Sequence, residues 1–186
     1  MLSGIPNIKL MDTFHFVAAY VFGLSIAFPV VVLTRTVYAL VNPWGPASGW
    51  LIVALVAGDS LYAWAGWFAR RANIIEKRSG PVERSIALGL VGLFSALSFD
   101  LITNFASGLV VVTASDLSTL ISRAFWWGFV TMNFPLPLGI IHEASDFLFF
   151  SAVAPAAISL LKRSSLNRPS VSSQVDRGFG GLTCEN

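Results

Sequence analysis

Charge is scarce in this chain. Only 12% of its 186 residues are Asp, Glu, Lys or Arg, about half of the roughly 25% found in an ordinary soluble domain. Cysteine is scarcer still: Cys184 stands alone, which excludes a disulfide framework and a thiolate metal cluster. No glycine-rich phosphate loop of the Walker type occurs, so the chain is not built to hydrolyse ATP. No Ser/His/Asp set has the spacing of a nucleophilic triad, and no residue is singled out as catalytic. The first thirteen residues lack the basic start, apolar run and small-residue cleavage site of a signal peptide, so insertion is expected to rest on the spans themselves. What fills the chain instead is apolar: 55% of residues are hydrophobic and the mean hydropathy is +0.71. A polypeptide of 20.0 kDa cannot hide that much apolar surface in one water-soluble core. A disordered chain, a secreted disulfide scaffold and a nucleic-acid binder are all disfavoured, and an integral membrane protein remains.

A spanning helix needs roughly 20 mostly apolar residues. Asp12 to Val41 is one apolar stretch of 30 residues, about 45 Å as a single helix, too long for a hydrocarbon core of about 30 Å. Gly23 and Pro29 offer places to break it. The expectation is two shortened helices, Asp12–Phe22 and Leu24–Val41, with a tight turn near Gly23. Asn42-Pro43-Trp44-Gly45-Pro46 reads as a loop. Gly49–Ala69, Ser85–Val112 and Pro135–Leu161 read as further spans. The fold class is therefore an all-α integral membrane bundle of about five spans, two of them short. Leu117–Phe134, with adjacent Trp126 and Trp127, suits an outer interfacial helix with aromatic anchors. Residues 1–163 form the bundle; residues 164–186, rich in Ser, Gly and Asn, read as a disordered cytoplasmic tail.

Orientation follows from Lys and Arg. Arg70, Arg71, Lys77, Arg78 and Arg84 share one loop, and Lys162, Arg163 and Arg168 follow the last span. Both groups are expected in the cytoplasm of a multi-pass cell-membrane protein, with Asn42–Ser48 outside.

Ionisable groups inside a bilayer need a partner or a purpose. Counted from the outer ends of the spans at about 1.5 Å per residue, Asp59 lies about 15 Å deep, Asp100 about 18 Å, Asn104 about 12 Å, His142 about 10 Å, Asp146 about 16 Å and Arg35 about 9 Å. Asp100 and Asn104 share one helical face, as do His142 and Asp146. The convergence describes a polar pocket open to the outside and closed below by apolar residues. Arg35 is a candidate counter-ion, either for the ligand site or in a structural pair with Asp59 or Asp100. Trp44 reads as a lid, and Trp64 and Tyr62 as interface anchors or ring-stacking groups. His142-Glu143-Ala144-Ser145-Asp146 superficially matches a zinc-protease helix, but its second histidine is replaced by aspartate, so no metal is assigned. Ala19, Gly23 and Ala27 form a stripe that permits close helix approach, as do Gly89, Gly92 and Ala96.

Several segments resemble the substrate-binding S components of energy-coupling factor (ECF) transporters. They are Ile5-Pro6-Asn7-Ile8-Lys9, Asn42-Pro43-Trp44-Gly45-Pro46, Ser98-Phe99-Asp100-Leu101-Ile102-Thr103-Asn104, and Pro135 to Phe147, where the family often carries Asn at the position of Asp146. The resemblance covers about Ile5 to Arg163. It implies a bundle of six helices that captures a vitamin, vitamin precursor or metal ion from outside. It also implies docking on a transmembrane T subunit driven by two ATPase subunits. Carried onto this chain, the substrate site comprises Asn42, Trp44, Asp59, Asp100, Asn104, His142 and Asp146. In the family the Pro-Asn segment follows a first helix used for docking, whereas here it stands almost at Met1; either the start is misplaced, or five spans and the interfacial segment suffice and docking falls to the Ala19-Gly23-Ala27 face. The expected partners are a small-molecule substrate, membrane lipid, the T subunit and the ATPases, without nucleic acid or cofactor. The acidic residues favour a cationic, ring-containing solute. Two other classes stay open: a membrane-embedded hydrolase or transferase using Asp100, His142 and Asp146, and a structural subunit whose polar residues only join helices.

Overall fold

The computed structural model describes residues 8–41, 45–77, 80–133 and 138–166, and among these every regular element is a helix. There are six: α1 Met11–Phe22, α2 Leu24–Leu40, α3 Gly49–Arg71, α4 Pro81–Val111, α5 Leu117–Asn133 and α6 Leu138–Leu166. Three are long and apolar enough to cross a membrane, namely α3, α4 and α6 over Leu138–Ser164, and α2 is a shorter apolar helix. The long first stretch breaks where expected. Gly23 adopts φ 87°, its N–H bonds the Ala19 carbonyl, and α2 starts on the next residue. That backbone region is open to glycine and costly for other residues. Residues 164–166, expected in the tail, continue α6, and 167–186 lie outside the described residues.

Side-chain pairings set the directions. Phe28 meets Trp64 and Arg35 meets Asp59, so α2 runs antiparallel to α3. Gly66 abuts Phe16 and Arg70 bonds the Val21 carbonyl, so α1 runs parallel to α3, starting halfway along it. Asp100 meets His142 and Gly89 meets Ser151, so α6 is antiparallel to α4. Gly108 against Ala124 and Gly128 against Asn104 place α5 antiparallel along the last turns of α4. The Gly89 and Gly92 positions are closed by α6 itself: a Cβ on Gly92 would stand 2.8 Å from the Asp146 carbonyl oxygen.

One end of the bundle is basic. Arg70 and Arg71 close α3, Arg84 opens α4, and Lys162 on α6 bonds Glu76 in the α3–α4 turn. Above that end lies an apolar layer of Phe16, Tyr20, Tyr62, Leu88, Phe99 and Phe150. Large apolar side chains such as Leu33, Phe68, Phe94, Leu148 and Leu160 point outward, as a lipid-facing surface requires. The Ala19-Gly23-Ala27 stripe departs from its expected docking role. Ala19 and Ala27 are fully buried, packed with Val31 and Ala63 between α1, α2 and α3. Their small side chains let these three helices close on one another, so that face is spent inside the bundle.

Candidate functional site

The polar residues of five helices meet in one buried cluster. Asp12 and His15 come from α1, Arg35 from α2, Asp59 and Tyr62 from α3, Asp100 from α4, and His142 and Asp146 from α6. All are buried, Asp100 at 4% exposure and His15 at 1% being the least so. Asp59 stands twelve residues before Arg71, about 18 Å from the basic end and near mid-helix.

Two halves of the cluster share Asp12. In the first, Arg35 grips both carboxylate oxygens of Asp59 through Nε and Nη2, and the same Nη2 reaches Asp12 Oδ1 at 3.3 Å. The paired geometry suits a guanidinium, whose planar fork matches a carboxylate. His15 stands at the edge, with Nε2 2.8 Å from Thr34 Oγ1. Thr34 spends its own proton on the Val30 carbonyl, so His15 Nε2–H is the donor there and Nδ1 faces Asp59 Oδ2 at 3.6 Å. In the second half, His142 Nδ1 lies 3.0 Å from Asp100 Oδ1 and Nε2 lies 3.1 Å from Asp12 Oδ2. The Tyr62 hydroxyl donates to Asp146 Oδ2 at 2.7 Å. The His142 ring is edge-on to Phe99, and the Lys9 ammonium sits 4.8 Å above the same ring. Four carboxylates thus face one buried guanidinium, two imidazoles and one ammonium at the margin.

A cavity of about 350 Å³ borders the cluster between the start of α1 and the second half of α2. Its polar lining is Lys9, His15, Thr34 and Tyr38, and its apolar lining includes Met11 and Phe14. A smaller space of about 20 Å³ lies between α4 and α5 beside Asp100, Asn104 and Gly128, room for about one water.

Of the residues expected at the site, Arg35, Asp59, Asp100, His142 and Asp146 are brought together. Asn104 is not joined to them by a hydrogen bond: its amide donates to the Asp100 carbonyl one turn back, and it lines the small α4–α5 space. Asn42 and Trp44 lie outside the described residues. The cluster also departs from the expected open pocket, because packing against the Tyr62 and Phe99 rings leaves its carboxylates almost wholly buried. Trp64 is 41% exposed in a surface aromatic group with Phe28, Trp67 and Phe68, as an anchor would be. Tyr62 is fully buried and belongs to the cluster. Sequence reasoning missed Asp12 and His15 as site residues. Their signal was the same as for His142 and Asp146: two ionisable residues a turn apart in an apolar helix. Asp12 stands at the first residue of its apolar run, where spacing alone marks a span boundary and not a buried site.

Comparison with protein-family models finds none that matches the chain. Neither the curated proteins nor the solved structures contain a match.

Proposed function

We propose that this chain is a membrane-embedded capture subunit of an ECF-type importer, binding a vitamin or related micronutrient for ATP-driven uptake by partner subunits. One observation carries the reading: five helices of an apolar bundle each contribute ionisable or hydroxyl groups to one central cluster, and a solute-sized cavity opens on its edge. Ligand pockets run from about 300 to 1,000 Å³, with a few convergent polar groups in an apolar wall. The cavity beside His15, Thr34 and Tyr38 has that size and lining. Buried charge of this density is costly in a membrane and marks a functional site.

The mechanism is binding without bond-making. Lys9 and Tyr38 offer hydrogen bonds to the solute's polar substituents, the paired His15 and Thr34 form the polar floor, and Met11 and Phe14 take its ring. Arg35 and Asp59 hold α2 against α3, so the wall is rigid before the solute arrives. The basic loops face the cytoplasm under this reading, where ATPase subunits act. A purely structural role for the cluster would not need the cavity with its half-buried Lys9 and Tyr38.

The test is cross-linking in native membranes, purification through a tag on this chain, and identification of what remains attached. A T-type membrane subunit with two ATPases is expected. Recovery of the chain without any ATPase subunit would overturn the importer reading.

A further inference from the structure

We propose that Asp12, His142 and Asp146 hold one divalent first-row transition-metal ion that clamps α1 to α6. This does not depend on the importer reading, because it concerns a resident ion rather than a transported solute.

The geometry is that of a ligand set. One ligand atom from each of the three side chains lies within 4.8 Å of the others, and all three residues are buried. His142 Nε2 stands 3.1 Å from Asp12 Oδ2 and 3.7 Å from Asp146 Oδ2. Two ligands each about 2.1 Å from a tetrahedral ion stand about 3.4 Å apart. These two separations bracket that value, and the third, between the two carboxylates, lies within 4.8 Å, so an ion entering between them would draw the carboxylates toward itself.

The surroundings fit as well. A metal-bound histidine commonly donates its other ring N–H to a carboxylate, which fixes the tautomer and turns the lone pair to the ion. His142 Nδ1 is 3.0 Å from Asp100 Oδ1, leaving Nε2 toward Asp12 and Asp146. Each ligating carboxylate is also steadied from outside. Tyr62 donates to Asp146 Oδ2 and Arg35 reaches Asp12 Oδ1.

Buried carboxylate oxygens without partners point the same way. Asp146 is fully buried, yet its Oδ1 has no hydrogen-bond partner among the described residues, and the same holds for Asp100 Oδ2. The alternative set of Asp12, His15 and Asp59 is weaker, because Arg35 already occupies both Asp59 oxygens. The mix of one imidazole and two carboxylates suits zinc, cobalt, nickel or manganese.

The test is a Co²⁺ titration of the full chain in detergent after chelator treatment, read by visible d–d absorption and by metal content of the chain as purified. One Co²⁺ per chain with a low-symmetry spectrum is expected. Asp146→Asn and His142→Gln should weaken binding by more than the roughly 10–100-fold expected for the supporting variant Asp100→Asn. Thermal melts establish that each variant is folded. A wild-type chain that takes up no stoichiometric Co²⁺ overturns the proposal without recourse to variants. So does loss of binding in Asp59→Asn with full affinity in His142→Gln, which would move the ion to the other set. Metal binding without ATPase partners leaves this inference standing and removes the importer reading; the reverse pattern does the opposite.

Discussion

Arg35 is the residue on which the cluster turns. Its guanidinium is buried between Asp59 and Asp12, and removing one member of such a pair strands the other. Arg35→Met should therefore lower stability by about 3–5 kcal/mol, whereas Arg35→Met with Asp59→Leu should recover most of that loss. Thermal unfolding of the two single variants and the double gives the coupling directly. At the basic end a second charged group has a different dependence. Partial burial pushes the Glu76 carboxyl up, but the Lys162 ammonium and the Tyr20 hydroxyl outweigh it and hold it below its ordinary value of 4.5. A depressed carboxylate stabilises the fold above its unfolded value and loses that contribution as pH falls through the folded one. Because Glu76 and Lys162 are each 45% exposed, the contribution is small, under about 1 kcal/mol and screened by salt. Melting temperatures measured between pH 3 and 6 should fall on acidification in the wild type, with Glu76→Gln flattening the part of that fall below about pH 4.5.

At the scale of elements, close approach is set by glycine. A Cβ on Gly66 would lie 2.2 Å from the Phe16 carbonyl oxygen, a backbone atom that cannot step aside, whereas one on Gly49 meets nothing within 4 Å. Gly66→Ala should push α1 off α3 and cost about 1–3 kcal/mol despite alanine's better helix propensity. Gly49→Ala should leave the melting temperature nearly unchanged, and the pair read in one assay separates packing from propensity. The elements themselves were legible in the sequence. Gly23 announced the break, the loop after Val41 announced a turn, and the apolar runs placed α3, α4 and α6. What could not be read was register. Whether Asp12 sits at the end of a span or at its centre depends on α1 starting halfway along α3, and no local pattern encodes a neighbour's offset. For the same reason Asn104 was grouped with Asp100 by helical spacing, yet α5 claims its side of α4 through the Gly128 contact. Tyr62 was ambiguous because an aromatic residue with a hydroxyl suits both a membrane interface and a buried carboxylate.

For the molecule as a whole, the layers follow one order: basic loops, apolar rings, buried charge, and then a cavity edged by Lys9 and Tyr38. Positive charge favours the cytoplasmic side. Cys184 is the sole cysteine, so a Cys184→Ser background permits single reporters. Ser48→Cys should react with an impermeant maleimide in intact cells, and Lys77→Cys only after the membrane is opened; the opposite pattern would overturn the proposed orientation. The central claim is that the cluster exists to hold a ligand and not merely to join helices. Native mass spectrometry of the chain released from nanodiscs tests it most directly. The wild type should weigh more than its 20.0 kDa sequence mass by a bound ligand, and folded His142→Gln and Asp146→Asn should lose that excess together. A wild type at bare sequence mass, under conditions that keep weakly bound lipid attached, would contradict it.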